Sequence, residues 1–576
     1  MDSLPPVLIF LIAAVIVPLL PAQARPWAFL VAPVVVFVQV FVVLEPGDTT
    51  TLDWLGLELL PMEVTALNEV WATVFLIVGV LGGVFALHVK DRIQQAGALA
   101  YLGSALGVVF AGDLLTLITF WELMAVSSML LIINGGRANS KAAALRYLFV
   151  HVVGGSLLLA GILWHLGETG GAFELQHFDG SAAGWLMFLG VAVNAAVVPL
   201  HAWLPDAYPE SSPTGMVFLG AFTTKTAVFV MMTAFAGWEV LLWLGPIMAI
   251  YGGVYSLLQN DIRRVLAYHI ISQVGFMVTA IGVGTQGAEE AVADQAFTHV
   301  LWPAVMVMAT GAILHATGAS KLSELGGLAK SLRGVLALYM IGAVSIALFP
   351  LLVGLGGQEL YTEHGAGVDR PWPLLALYIA AVATTLAVAV RLPYYAFFAK
   401  PRSAINVGSI PIGMYVAMGV GALLSLPVGL VPADTFDLLA LELHPHGFTS
   451  DNVVFGLQVF AFTVAAGWLA LRFLAPRGEL TVDTDFLYRK VTTAVRIVIQ
   501  QPLEWPFTLT GRALNVIVRV LTNIGLTPEN AWSRLLRWKA NPDVAISLLG
   551  RPPLGAALVA IFGLFAVIVI VAALTD

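Results

Sequence analysis

Asn194–Val230 reads NAAVVPLHAWLPDAYPESSPTGMVFLGAFTTKTAVFV, and its reading decides what kind of chain this is. It starts inside an apolar run that Pro199 interrupts. It passes through His201, Trp203, Pro205 and Asp206, then returns to an apolar run that carries Lys225. An ionisable group at the centre of a bilayer costs about 2.5–3.5 kcal/mol on insertion scales. An interrupted helix persists at that depth only where protein or a water-filled cavity covers the freed backbone. A broken apolar helix followed by a buried lysine therefore points to a membrane protein with an ion path.

The rest of the chain fits that reading. Its 576 residues are 59% hydrophobic and 11% charged, with a mean hydropathy of +0.90; a soluble domain carries about 25% charged residues. Apolar runs about 20 residues long, rather than alternating strands of about ten, predict an all-α polytopic membrane protein. The chain has no cysteine, which excludes disulfides, thiolate chemistry and Cys-ligated clusters. No phosphate-cradling loop, dinucleotide fingerprint, metal-ligand constellation or nucleophile triad is present. No cofactor, metal or nucleic-acid partner is expected, and the chain reads as a transporter component rather than an enzyme. Residues 6–20 could pass for a signal-peptide core but lack a basic flank, so they read as the first span.

Apolar runs place spans near 6–22, 28–44, 70–90, 95–111, 114–133, 142–166, 183–204, 213–236, 239–258, 265–284, 295–317, 335–355, 374–398, 410–430, 453–473 and 554–574, about sixteen in all. Alternate connections carry the bases: Arg25; Lys90 and Arg92; Arg137 and Lys141; Arg263 and Arg264; Lys321, Lys330 and Arg333; Lys400 and Arg402. Those between are acidic, apart from Arg370. This alternation predicts an N-terminus outside and basic loops in the cytoplasm of a cell inner (plasma) membrane. Residues 477–551 break the pattern. Arg489 and Arg496, and Arg512 and Arg519, are each two helical turns apart, which predicts an amphipathic helix in the interface plane. It reads either as a surface anchor or as a strap across this chain and its neighbours.

Glu122 lies midway in its apolar run, and an acid at that depth points to a role in ion movement. Asp113 reads as a boundary residue. Lys225 has nearly a dozen apolar residues on either side, and an amine removed from water is a candidate proton carrier. His151, His269 and His299 lie within spans; each reads as a proton relay or as a hydrogen-bonded packing residue. His201 and His315 lie near span ends and read as structural. Gln358 and Glu359 follow a glycine-rich break that reads as an ion gate or as an external loop.

With those residues in hand, the chain resembles the antiporter-like subunits shared by Mrp-type multisubunit cation/proton antiporters and respiratory complex I. The marks are GDLLTLITFWELM around Glu122, VVPLHAWLPDA at 197–207, TTKTAVF around Lys225, QNDIRRVLAYHIISQVGFM at 259–277 and GAILHATGASKLSELGGL at 311–328. ELTVDTDFLYRK at 479–490 looks most like the D-type Mrp subunits. The resemblance implies two inverted five-helix repeats, each with a broken helix, followed by a lateral amphipathic helix and a terminal span. It divides the chain into N-terminal helices 1–94, a first half-channel 95–236, a second 237–400, C-terminal core helices 401–476, the lateral helix 477–551 and a last span 552–576. It implies proton movement through Glu122, Lys225, His151, His269, His299 and Glu359, coupled to Na+ or another monovalent cation, beside other membrane subunits and lipid.

The chain also departs from the family pattern. Asn194 stands where the family places the lysine that pairs with the glutamate of the first half-channel. Pro303 stands four residues after His299, where a lysine usually follows. Gln358 aligns with a usual lysine or glutamate, with Glu359 one residue on. Retained Glu122 and Lys225 favour a conducting module; the three altered sites favour a structural or coupling subunit with a degenerate path. Within the family's range lies a further alternative, an energising partner of a redox or inorganic-carbon uptake module.

Overall fold

Side chains that accept from their own helix's first amides set six of the helix starts. Thr65 and Asn68 form a reciprocal capping box on Ala66–Phe85 (α3), after Pro6–Ile16 (α1) and Arg25–Val42 (α2). Asp91 caps Arg92–Val109 (α4), and Asp113 caps Leu114–Ile133 (α5) by accepting from the Thr116 amide. Ser140–Thr169 (α6) ends at Gly170 in the left-handed conformation. Ser181 caps Ala182–Asn194 (α7); after it come Trp203–Ala207 (α8), Gly215–Ala221 (α9), Thr223–Phe235 (α10) and Leu241–Leu258 (α11). Asp261 caps Ile262–Ile281 (α12), and Thr285 caps Gln286–Thr317 (α13). Arg333–Ile346 (α14), Pro371–Thr385 (α15), Ile412–Leu430 (α16) and Ser450–Ala470 (α17) complete the order; α15 continues as π-helix through Leu386–Arg391 and Tyr394–Phe398.

This computed structural model describes residues 4–54, 56–346, 371–401, 405–431, 434–436, 439, 450–476, 483, 484 and 486. Gln358, Glu359, nearly all of the predicted lateral helix at 477–551 and the predicted last span lie outside the described residues. Among the described residues, ten helical segments are long and apolar enough to cross a membrane, with four shorter apolar ones. The chain is a mostly helical, multi-pass membrane protein.

Two expectations are corrected. The chain is not all-α: Thr49–Trp54 (β1) and Leu57–Glu63 (β2) pair antiparallel, from Thr49 opposite Glu63 to Trp54 opposite Leu57. The threonine run and short alternation suit a half-buried hairpin, too brief to register beside long apolar runs. The predicted spans at 183–204 and 213–236 are also not continuous. The first stops at Asn194, and the second is interrupted at Phe222.

The core follows from which spans are enclosed. Gly215–Phe235 and α13 are each 94% buried over their apolar windows, against 33% for α2. Helices α9, α10, α12 and α13 thus form the centre. Helices α11 and α12 approach closely because glycines face backbone across the seam: a Cβ at Gly252 would lie 2.4 Å from the Ser272 amide, and one at Gly275 2.5 Å from the Ala249 amide. Helix α13 passes through Pro303 without interruption.

Arg263, fully buried at the start of α12, holds the loop after α8. Its guanidinium donates to the carbonyls of Pro209 (2.8 Å), Ser211 (2.7 Å) and Ser212 (2.9 Å), and to Ser211 Oγ (3.0 Å). Arg263→Leu would strand these acceptors away from water, each costing about 1–3 kcal/mol. A melting temperature of the detergent-solubilised protein several degrees lower is expected; an unchanged one would mean that other contacts hold the loop.

Candidate functional site

The side chains singled out in the sequence occupy one row of elements, α5, α6, α7, α10, α12 and α13. Glu122 sits near the middle of α5 against α6. Gly155 makes that fit possible: a Cβ there would lie 1.5 Å from Glu122 Oε1. Glu122 is half-buried, on a flank of α5 where Phe120 and Leu123 are also half-buried and Thr119 is exposed. Asp113 is the α5 cap and also accepts from the Leu60 amide (2.7 Å), as its boundary reading implied.

One turn before Gly155 on α6, His151 is buried. Its Nδ1 meets the Tyr147 carbonyl oxygen at 2.9 Å, and its ring stacks on Tyr147 with centroids 3.9 Å apart. Trp203 closes the other side edge-on at 4.5 Å and donates its indole N–H to Val193 O (2.8 Å), tying α8 to the end of α7. Nε2 of His151 has no hydrogen-bond partner among the described residues.

Asn194 is the last residue of α7 and fully buried. Beyond it the chain turns through Ala196 at φ 55° and the cis Val198–Pro199 bond before α8. Neither amide atom of Asn194 has a partner among the described residues.

Lys225 lies in the first turn and a half of α10, fully buried. The interruption at Phe222 leaves carbonyls of α9 without helical donors, and the ammonium uses one: Nζ donates to Gly220 O at 3.0 Å. Among the described residues neither Glu122 nor Lys225 belongs to an ion pair. His269 on α12 and His299 on α13 stack with centroids 5.5 Å apart, and both rings lie within electrostatic reach of Lys225. All four of their ring nitrogens lack a hydrogen-bond partner among the described residues. Burying polar groups without partners is costly, so this line of groups is not explained by packing.

A hydroxyl cluster that no motif in the sequence announces lies beside the row. Thr223 Oγ1 lies 2.6 Å from Tyr101 Oη and 3.5 Å from Tyr147 Oη, which in turn meets Ser128 Oγ at 2.8 Å. These four bring α4, α5, α6 and α10 to one point, two residues before Lys225. Hydroxyls inside otherwise apolar runs were the available signal. His201 is fully buried, as a structural role requires, and its Nε2 lies 3.1 Å from Asp483, far along the chain.

Chemically, the arrangement offers one carboxyl, one amine, three imidazoles and a hydroxyl cluster at the depth of the apolar spans. All of these can exchange protons or support a hydrogen-bonded relay.

Residues 111–391 match the family described as NADH:quinone oxidoreductase/Mrp antiporter, TM. Among curated proteins, the A/B component of a probable K(+)/H(+) antiporter from Rhizobium meliloti is 28% identical over 388 residues, covering 62% of this chain and 39% of that protein. The D-type component of the Na(+)/H(+) antiporter from Alkalihalophilus pseudofirmus is 25% identical over 381 residues, covering 61% of this chain and 77% of that protein. The chain thus spans well under two thirds of the Rhizobium relative. A chain in the structure of the Mrp complex from Dietzia sp. DQ12-45-1b shares the fold, with a TM-score of 0.70 at 22% identity, covering 89% of this chain and 62% of that one.

Proposed function

Because residues 111–391 belong to the transmembrane family of NADH:quinone oxidoreductases and Mrp antiporters, we propose that this chain is a proton-translocating, antiporter-like subunit of a multisubunit membrane complex. It couples H+ movement to Na+ or another monovalent cation in the plasma membrane. Its N-terminus lies outside and its basic loops in the cytoplasm. About sixteen spans carry it, with half-channels at 95–236 and 237–400 and the lateral helix and last span at 477–576.

The observation that carries this reading is the row from Glu122 through His151 and Lys225 to His269 and His299, with Glu122 and Lys225 outside any ion pair among the described residues. Keeping such groups at membrane depth without use costs several kcal/mol. Half-buried Glu122, beside exposed Thr119, supports a neighbouring protein component, since a carboxylate facing lipid at mid-span costs about 2.5 kcal/mol or more and a protein surface would cover it. Two repeats are supported by matching caps. Asp113 caps α5 and bridges to Glu174 just after α6; Asp261 caps α12 and bridges to Lys321 just after α13.

Asn194 favours the second reading, a structural or coupling role, because it puts a neutral amide at the break of the first half-channel. Cation-gradient-driven proton movement in proteoliposomes of the intact complex separates the two. Gly155→Ala is an internal test of geometry. The added methyl displaces the Glu122 carboxylate while leaving both charges in place, and exchange is expected to fall by about ten- to a hundredfold, the scale on which a displacement of about 1 Å acts. Unchanged exchange with normal assembly would mean that the position of Glu122 does not matter to transport.

A further inference from the structure

Asp483 lies beyond the last described span, yet its side chain reaches back to three elements of the core. Its carboxylate accepts from Tyr251 Oη of α11 at 2.8 Å and from Tyr268 Oη of α12, and it lies 3.1 Å from Nε2 of buried His201, just before α8. The next residue adds a fourth point: Thr484 Oγ1 donates to the Pro199 carbonyl at 2.9 Å. Tyr255 stacks on Tyr251 at 4.2 Å, the His201 ring meets Tyr251 edge-on at 4.5 Å, and Arg264, one turn before Tyr268, donates to Pro205 O at 3.3 Å. Two consecutive residues thus hold the linker between α7 and α8 at Pro199 and His201 and tie it to α11 and α12. Burial alone would raise the Asp483 carboxyl; the contacts from His201, Tyr268 and Tyr251 outweigh it and hold the group well below the usual carboxylate range. The grip is that of a carboxylate accepting from two tyrosine hydroxyls, the strong kind of hydrogen bond.

A solvent-exposed tail would have no need of such an arrangement. Nothing in the row of ionisable groups requires it either, because Asp483 touches none of them. What the pair does touch is the stretch between Asn194 and Trp203: Asp483 meets the His201 side chain and Thr484 the Pro199 carbonyl.

We propose that Asp483 and Thr484 are positioning residues for this break: they latch the stretch that follows α17 onto Pro199 and His201 and so hold the interrupted helix in its transport geometry. The proposal rests on the proton path above for its transport readout, and on the latch alone for its exchange readout.

The test uses the assembled complex with Asp483→Asn, Asp483→Glu and Thr484→Val. Hydrogen–deuterium exchange is followed on the peptides covering residues 197–204 and 476–486, beside cation-driven proton flux in proteoliposomes. With Asp483→Asn, exchange over 197–204 is expected to rise about tenfold, the change that about 1.4 kcal/mol of lost local protection produces. Flux is expected to fall about tenfold, and Asp483→Glu, which keeps the charge, is expected to restore most of both. Faster exchange over 476–486 with no change over 197–204 would overturn the latch, as would wild-type flux in Asp483→Asn. If the wild-type complex moves no protons, the functional reading falls and exchange over 197–204 alone decides the latch. If Asp483→Asn fails to assemble, Thr484→Val decides on the same peptide: a smaller rise supports the proposal and no rise overturns it.

Discussion

Glu122→Gln in the assembled complex is expected to abolish cation-driven proton movement, with flux falling by about a hundredfold or more, the scale on which removing a proton-transferring group acts. Glutamine keeps the size of the side chain and can accept the same hydrogen bonds, but it cannot carry a proton. The packing around Glu122 makes the test clean. The carboxylate lies against Gly155 and belongs to no ion pair among the described residues, so a neutral isostere strands no partner charge. Loss of flux with normal assembly would then report chemistry rather than folding. Full flux in the variant would mean that the acid is dispensable and that the path runs through another component of the complex.

Lys225→Ala is expected to be as severe, for a different reason. The ammonium sits at the interruption between α9 and α10 and donates to Gly220 O, while the His269–His299 stack lies within its electrostatic reach. Removing it takes away the one cation facing both rings in that part of the described core, and leaves a freed carbonyl without its donor at a cost of about 1–3 kcal/mol. Proton movement is expected to fall by about a hundredfold or more, and Lys225→Arg, which keeps the charge but holds its proton firmly, is not expected to restore it. If Lys225→Arg transports at the wild-type rate, the residue serves as fixed charge and not as a carrier. If both variants transport normally, the scaffold reading gains.

Much of this was legible in the chain. Twenty-residue apolar runs set the helices, because a bilayer leaves the backbone no other partner than itself. Pro199 announced the break after α7 and Lys225 an ionisable group at depth, since each breaks a rule that lipid enforces; nothing local announced the interruption at Phe222. The rest was hidden for physical reasons. Glu122 reads as buried from its position along α5, but the side of the helix it occupies depends on how α5 packs, which periodicity in a nearly uniform apolar run does not reveal. The cluster of Tyr101, Tyr147, Thr223 and Ser128 joins four helices, and each hydroxyl alone looks like tolerated polarity. Asp483 lies more than 200 residues from Tyr251 and Tyr268, a separation that no local pattern encodes. Thr49–Glu63 was missed because a short hairpin carries little signal beside long spans.

The glycine seam between α11 and α12 has a mechanical consequence. Backbones that meet where a single methyl would not fit cannot slide past one another: a shear would drive Ser272 and Ala249 into the opposing chain. A side chain larger than glycine at Gly252 or Gly275 would therefore force the two helices apart. Asp261 stands at one end of that pair, where Arg137 Nη2 approaches its carboxylate at 3.5 Å and Ser320 donates to it. His269 stands two turns further along. One closely packed pair of helices thus joins a charged junction at Asp261 to the buried imidazole of His269.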